Sequence, residues 1–210
     1  MRHFFVTACL IAVLLPLGAC TTVLVRFPVP QDQLDEAMPY GIDAPFIRYY
    51  ADELSEELEA AIVSSRFAEQ EAGALPFAPE IDSIAFSGGG PDGAFGAGLM
   101  SGWTKRGDRP SFRLASGVST GAIIALYAFL GPEYDDELTE IYTSYETDDL
   151  VTPTIFAGLT GGTALTSTRG YRALIEDYIS PAVVDELEAA HEDGRFLFIG
   201  TTNIDASRPV

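Results

Sequence analysis

The stretch that decides the fold is "GVSTG", Gly117 to Gly121, because a strand-like run turns directly into a helix-like run at this point. Phe112–Ser116 before it has the length of a short strand, and Thr120–Leu130 after it is an apolar helical run that ends at Gly131. A G-x-S-x-G motif in this context predicts a nucleophile elbow, in which a strained turn projects the serine hydroxyl above a sheet. The first turn of the helix would direct its dipole and free N–H groups to the same place. Ser119 is therefore the candidate nucleophile.

A second glycine-rich stretch, "SGGGPDGAFGAG" at Ser87–Gly98, follows the strand-length run Ile81–Phe86. Gly88, Gly90 and Gly93 match G-x-G-x-x-G, the spacing of a dinucleotide-binding loop. The same glycines can instead expose a row of backbone N–H groups toward a developing oxyanion. Two kinds of protein therefore fit this stretch by itself, a cofactor-binding protein and an acyl hydrolase.

The dinucleotide interpretation fails on the residues around the loop. It requires an Asp or Glu at the end of the second strand, about 20 residues further on, to bind the ribose hydroxyl. No acidic residue occurs from Ser111 to Tyr127. Asp92 also places a negative charge inside the loop, where it would repel a pyrophosphate. We therefore expect no dinucleotide, and we interpret the stretch as an oxyanion loop.

Strand-like and helix-like segments alternate along the rest of the chain. Helical spacing begins at Gly93, recurs over Leu138–Tyr145 and begins again after the N-cap residue Ser180, and Phe196–Ile199 is a buried type of strand. This alternation predicts the α/β class with a mainly parallel sheet. Further upstream, apolar residues at i+4 spacing from Phe46 to Ile62 predict an amphipathic helix on the domain surface.

The charge balance excludes some classes of partner. Acidic residues outnumber Lys plus Arg by 31 to 12, which gives a formal net charge of −19. Binding to a nucleic-acid backbone needs clustered cations, so we expect no nucleic-acid partner. The same balance opposes electrostatic attraction to anionic lipid surfaces.

The first twenty residues have the composition of a targeting signal. Arg2 and His3 precede the apolar run Phe4–Leu17, which is too short for a comfortable membrane span. The run ends in small residues and Cys20, so the segment resembles a bacterial lipoprotein signal in which Cys20 becomes the lipidated N-terminus. This resemblance implies a lipid anchor in the bacterial cell envelope, at the outer membrane and facing the periplasm. An ordinary secretory signal with an incidental cysteine is the alternative.

Removal of residues 1–19 would leave one cysteine, Cys20, and one histidine, His191. This count excludes an internal disulfide and a metal site built from His and Cys, and we expect no metal and no organic cofactor. His191 lies in the last turn of an acidic helix, where a cation suits the helix C-terminus. We interpret it as a capping residue, so Ser119 needs a base other than histidine.

Taken together, Ser87–Gly93 and Gly117–Gly121 resemble the paired motifs of the patatin-like phospholipase family, and the resemblance covers about residues 81–210. It implies a three-layer α/β/α fold with a mainly parallel central sheet. It also implies hydrolysis of lipid esters, with Ser119 as the nucleophile. The glycines of the expected site are the oxyanion donors Gly88, Gly89 and Gly90 and the further motif glycines Gly93, Gly117 and Gly121.

The resemblance further implies a Ser-Asp dyad. In the family the aspartate belongs to an Asp-Gly-Gly or Asp-Gly-Ala motif, and neither motif follows Ser119 in these 210 residues. We therefore expect residues 80–210 to be the N-terminal part of such a domain, truncated at the C-terminus, with the catalytic Asp beyond residue 210. Asp205 is the candidate if the acid lies within the chain. Many members have Arg or Lys where this chain has Asp92, which favours less anionic esters as substrates.

Two alternatives to this function remain open. One is an α/β-hydrolase esterase with a Ser-His-Asp triad, whose histidine would lie later in the chain. The other is a non-catalytic, lipid-anchored envelope protein that binds lipid or a partner. The expected organisation comprises a signal peptide at residues 1–19, a tether at 20–45, an N-terminal helical extension at 46–79 and the domain at 80–210.

Overall fold

The structure is a computed structural model that describes residues 27–34, 36–37, 48–71, 81–144, 152–153, 166–167 and 169–210. The predicted signal peptide, Cys20 and most of the predicted tether lie outside these residues. The chain forms two compact units, Met1–Pro28 with Asp148–Leu174 and Val29–Thr147 with Ile175–Val210. The helices and strands in chain order are α1 (Glu56–Glu71), β1 (Ser83–Phe86), α2 (Gly93–Arg106), β2 (Leu114–Val118), α3 (Thr120–Leu130), α4 (Asp135–Ser144), β3 (Thr152–Pro153), β4 (Thr166–Ser167), α5 (Arg169–Tyr178), α6 (Pro181–Glu192), β5 (Phe196–Gly200), β6 (Thr202–Asn203) and β7 (Arg208–Pro209).

The larger unit contains a parallel sheet with the strand order β1-β2-β5. Parallel neighbours need a long crossover connection, and α2 lies in the crossover between β1 and β2. Phe86 pairs with Gly117, and Val118 pairs with Gly200, so all three strands end at the same edge of the sheet. The structure thus confirms the predicted α/β class with a parallel sheet.

The helix α3 is central to this unit, and its observed bounds are the ones that the sequence predicts. Every residue from Ile123 to Phe129 is buried, as expected for a helix that is apolar on all sides. Ala125 and Phe129 join Ala115 of β2 and Ala190 of α6 in one core cluster. Because the core surrounds α3, it also holds the turn from which this helix starts.

The start of α6 agrees with its sequence signals. The Oγ atom of Ser180 accepts a hydrogen bond from the N–H of Val183 at 3.4 Å, and Pro181 follows in the first turn. The strand β2, in contrast, begins at Leu114, two residues later than predicted. Phe112 lies before it, fully buried, with its ring edge-on to the Trp103 ring at 5.9 Å.

The helix predicted from Phe46 is wrong over its first part, because α1 begins at Glu56. The described chain just before it is not helical. The guanidinium of Arg208 lies over the ring of Tyr50, 3.7 Å from its centroid, so Tyr50 packs against a residue that is distant in sequence. Ser55 then caps α1, since its Oγ accepts a hydrogen bond from the backbone N–H three residues later.

The smaller unit contributes few described elements. Its strands β3 and β4 form an antiparallel pair, with Thr152 opposite Ser167. Across all described segments of the chain, no helix is both long and apolar enough to cross a membrane.

Candidate active site

The site lies where the strands of the parallel sheet end. The glycine loop follows β1, the GVSTG turn follows β2, and a short hairpin follows β5. Because these three strands end at one edge, the loops are neighbours although they are far apart in sequence. Ligands of open α/β sheets bind at the carboxyl ends of the strands.

Ser119 has the backbone conformation of a strained elbow. Its φ is 56° and its ψ is −126°, and a non-glycine residue with such a φ costs on the order of 1–3 kcal/mol. Ser119 occupies the N-cap position of α3, but its side chain makes no capping hydrogen bond. The residue is exposed, so its hydroxyl is accessible and is not used to stabilise the helix.

The two outer glycines of GVSTG allow backbones to approach each other. A Cβ on Gly117 would overlap the carbonyl oxygen of Gly121. A Cβ on Gly121 would lie 2.5 Å from the carbonyl oxygen of Phe86 and 2.6 Å from that of Ser87. Real Cβ atoms do not come this close to backbone, so the elbow needs glycine at 117 to turn back on itself and glycine at 121 to pack on the end of β1.

The glycine loop lies directly beside the serine. A Cβ on Gly88 would be 3.1 Å from the Cβ of Ser119 and 3.8 Å from its Oγ. Gly90 has a φ of +56° and begins a single 3-10 turn that ends at Asp92. Within the described parts of the chain, no backbone acceptor receives a hydrogen bond from the N–H of Gly88, Gly89 or Gly90. The loop therefore places Gly88 against Ser119 and leaves the N–H groups of three exposed glycines without a backbone acceptor among the described residues.

Asp92 adds a negative charge to the same loop. Its side chain lies against Gly89, because a Cβ on that glycine would be 3.3 Å from the Cβ of Asp92 and 3.9 Å from its Oδ2. The N–H of Asp92 donates to the carbonyl oxygen of Gly89 at 3.2 Å. An anionic group that approaches the loop would meet this exposed carboxylate.

Tyr142 reaches the elbow from α4, a contact that the sequence does not predict. Its hydroxyl donates to the carbonyl oxygen of Thr120 at 2.9 Å and also shares a hydrogen bond with the Thr120 Oγ1. Gly93, the last glycine of the loop motif, lies against the same two side chains. The helical spacing around Leu138 placed Tyr142 on the packed side of α4, and no signal indicated a polar contact with the elbow.

His191 lies at the opposite edge of the sheet from Ser119. Its ring packs edge-on against Phe196, with the centroids 5.4 Å apart. Phe196 pairs with Leu114, the first residue of β2, and five residues of strand span about 16 Å. His191 is in the last turn of α6, as expected, and it is too distant to act on the hydroxyl of Ser119.

Asp205, the candidate acid within the chain, lies between β6 and β7. The N–H groups of Asp205 and Ala206 both donate to Oδ1 of Asn203, each at 3.1 Å. This turn follows β5, whose last residue pairs with Val118 beside the elbow. Asp205 therefore comes after the correct edge of the sheet, within a turn that is stabilised by its own hydrogen bonds.

No set of three or more His, Cys, Asp or Glu side chains in the described segments is arranged to hold a metal ion.

The comparisons with curated proteins and with solved structures return no match. A family model described as patatin-like phospholipase, in contrast, matches residues 84–208. This match covers well over half of the chain and contains both the glycine loop and the elbow. The protein therefore belongs to the patatin-like phospholipase family and is a lipid acyl hydrolase in the general sense of that family.

Proposed function

We propose that the protein hydrolyses lipid esters with Ser119 as its nucleophile and with the N–H groups of Gly88, Gly89 and Gly90 as its oxyanion hole. One observation carries this proposal: an exposed serine in a strained turn lies beside a glycine loop whose N–H groups have no backbone acceptor among the described residues. Strain of this kind persists only where the surrounding structure holds it. A nucleophile elbow needs the hydroxyl above the sheet edge and donors next to it.

The proposed reaction has two steps. The Oγ of Ser119 attacks the ester carbonyl carbon while a base takes its proton, and the loop N–H groups bind the resulting oxyanion. Collapse of this intermediate breaks the bond to the alcohol, which leaves with the proton, and an acyl-serine remains. Water then attacks the acyl-serine in the same way and releases the fatty acid. Donors that are already in place stabilise the oxyanion without reorganisation during the reaction.

A carboxylate is the proposed base. His191 lies at the far edge of the sheet, and the family resemblance implies an aspartate that forms a dyad with Ser119. A desolvated carboxylate that accepts a hydrogen bond from the serine hydroxyl can take its proton. Within the chain, Asp205 is the candidate for this aspartate, because its turn follows β5 at the carboxyl edge of the sheet.

The charge of the loop suggests which esters are preferred. Asp92 lies against Gly89, one of the proposed oxyanion donors, so an anionic headgroup beside the reacting carbonyl would be repelled. We propose neutral or zwitterionic lipid esters as the preferred substrates. We also propose that a lipid on Cys20 attaches the enzyme to the bacterial envelope, which would bring the site to its substrate surface.

The test of this function is Ser119→Ala in the product of the complete coding sequence. We expect fluorophosphonate labelling to disappear and p-nitrophenyl ester hydrolysis to fall by at least about 10³-fold. Ser207→Ala is the matched control, because Ser207 is also a serine with positive φ, 53°, but lies in the β6–β7 turn. It should label and hydrolyse like the unchanged protein.

Two outcomes would count against the proposal. Labelling of Ser119→Ala at the unchanged rate would exclude Ser119 as the nucleophile. Loss of activity in Ser207→Ala to the same extent would point to unfolding instead. Robust turnover by the 210-residue chain would place the acid within it, with Asp205 as the first candidate.

A further inference from the structure

The hydroxyl groups of Tyr142 and Thr120 form a reciprocal pair next to the nucleophile. The phenol of Tyr142 donates its single proton to the carbonyl oxygen of Thr120 at 2.9 Å. The remaining hydrogen bond, between the two side-chain oxygens, must then be donated by the Thr120 hydroxyl. Thr120 directly follows Ser119, so this pair fixes both the backbone and the side chain of the elbow at its first helical residue.

The same phenol also contacts the end of the glycine loop. A Cβ on Gly93 would lie 2.7 Å from Cε1 of Tyr142, 2.9 Å from its hydroxyl oxygen and against Oγ1 of Thr120. Gly93 is buried. Three parts of the molecule that are distant in sequence therefore meet at one point: the end of the loop, the start of α3 and the side chain from α4.

We propose that Tyr142 is a positioning residue that holds the oxyanion loop and the elbow in their reactive arrangement. This inference rests on the function proposed above. Ser119 needs external support for its strained φ, and Tyr142 contacts the residue that follows it. Oxyanion donors must also lie within a few tenths of an ångström of their working position. In this role Tyr142 acts through Thr120 and Gly93, which it contacts directly.

The packing of α4 does not depend on the Tyr142 hydroxyl. Leu138 and Ile141 of this helix are buried at 0% and 4% exposure. At its start, Asp135 forms an ion pair with Arg109 at 2.6 Å. These contacts remain when only one oxygen atom is removed, so Tyr142→Phe should fold with α4 in place.

The experiment compares Tyr142→Phe with Tyr127→Phe in the product of the complete coding sequence. Tyr127 is a matched control because its hydroxyl also donates to a helix carbonyl, that of Tyr178, at 3.0 Å, and it takes no part in the elbow. Tyr142→Phe loses two hydrogen bonds and Tyr127→Phe loses one, so the thermal stability of each variant is measured as well, and activities are compared at a temperature where both are fully folded. Only Tyr142→Phe should lower kcat and the rate of fluorophosphonate labelling, by about tenfold or more, with KM little changed.

A conservative pair of variants at Thr120 gives a second readout. Thr120→Val removes the hydroxyl and keeps the shape, whereas Thr120→Ser retains the hydroxyl. We expect Thr120→Val to reduce kcat in the direction of Tyr142→Phe and Thr120→Ser to remain near the unchanged protein. The double variant Thr120→Val/Tyr142→Phe should lose less kcat than the product of the two single losses, because both substitutions remove the same hydrogen bond.

The results separate this inference from the proposed function. If Ser119→Ala is inactive while Tyr142→Phe keeps the unchanged kcat, the positioning role is wrong and the nucleophile stands. Equal kcat losses in Tyr142→Phe and Tyr127→Phe would also overturn it, because the effect would then be general destabilisation. If Ser119→Ala retains activity, the proposed function itself fails.

Discussion

The two edges of the same parallel sheet are built in different ways. At the carboxyl edge, where the elbow lies, backbone packs on backbone and the contacts require glycine, as at Gly117 and Gly121. At the amino edge, arginine side chains bind backbone carbonyl oxygens. Arg195 donates to the carbonyl of Phe112 at 3.1 Å and also to that of Phe129, and its guanidinium lies 4.2 Å from the centroid of the Phe129 ring.

At the amino edge, arginine side chains donate hydrogen bonds to carbonyl oxygens at the ends of helices, which have no donor within the helix. The carbonyl of Phe129 is in the last turn of α3, where helix carbonyls lack internal donors. Arg113 similarly donates to the carbonyl of Gly194 at 2.9 Å, just after α6. Burial, and then the neighbouring charge of Arg113, lowers the pKa of Arg195, which reflects the cost of desolvating a cation. In return, the two arginines supply hydrogen-bond donors to the carbonyl groups at the ends of α3 and α6.

The difference between the two edges indicates that the amino edge contributes mainly to stability and the carboxyl edge mainly to the proposed activity. The carboxyl edge contains the positive φ of Ser119, which costs folding free energy, and its exposed glycine loop adds little stability of its own. The amino edge contributes hydrogen bonds and apolar contact and contains none of the proposed catalytic groups. Functional sites commonly retain strain that the remaining structure offsets. Substitutions at the carboxyl edge should therefore lower activity, whereas substitutions at the amino edge should lower stability and leave the activity of the folded protein unchanged.

The largest effect should come from Gly121→Ala at the carboxyl edge. The added methyl would lie 2.5 Å from the carbonyl oxygen of Phe86 and 2.6 Å from that of Ser87, and neither backbone atom can move without shifting β1. We expect the rate of fluorophosphonate labelling to fall by at least about 10²-fold. The free energy of unfolding in urea should fall by about 1–3 kcal/mol.

Gly98→Ala is the control for that variant. Gly98 lies in α2, and a Cβ there would meet nothing within 4 Å. Alanine is the better helix former, so this variant should gain about 0.5–1 kcal/mol of stability and keep the unchanged labelling rate. If Gly121→Ala behaved like Gly98→Ala, the close approach of the elbow to β1 would be disproved.

A different result is expected for Arg195→Met at the amino edge, namely a loss of stability without a loss of labelling. The methionine keeps apolar contact with the Phe129 ring but leaves two backbone carbonyls without their donor. We expect the free energy of unfolding, measured in urea, to fall by about 1–3 kcal/mol. The labelling rate of the folded protein should stay near that of the unchanged protein, because Ser119 is at the other edge.

Arg106→Met is the matched variant for this comparison. Arg106 forms an ion pair with Asp108 in which both side chains are exposed, and such pairs contribute little. It should leave stability and labelling unchanged. A labelling rate that falls in Arg195→Met under conditions where the protein is fully folded would break the separation between the two edges.

The smallest effect should come from Asp92→Asn, which changes charge and not shape at the carboxyl edge. Removing the carboxylate beside Gly89 should raise hydrolysis of anionic phospholipid relative to zwitterionic phospholipid by about two- to fivefold at low ionic strength. High salt should reduce this change, because exposed charges are screened. A ratio that does not move at low salt would show that the loop charge does not influence substrate choice.

Local sequence signals predicted the elements that carry the site. Gly131 ends α3 and Ser180 begins α6, as expected, because caps act within a few residues. The i+4 pattern from Phe46 did not predict the start of α1, because a residue in this segment makes a contact with a distant part of the chain. Tyr50 is bound by Arg208, a residue more than one hundred and fifty positions away, and no local pattern contains that contact.

The sequence by itself determined the alternation of strands and helices that is typical of the α/β class. It also determined the glycine loop and the position of Ser119 in a strand-to-helix turn. Each of these depends on backbone preferences over a few residues. Only the tertiary structure decided which groups surround that turn. Gly88 lies beside Ser119 and Tyr142 beside Thr120, while His191 lies at the other edge. The physical reason is that strand register and helix packing, which are set by the whole core, bring residues together regardless of their separation along the chain.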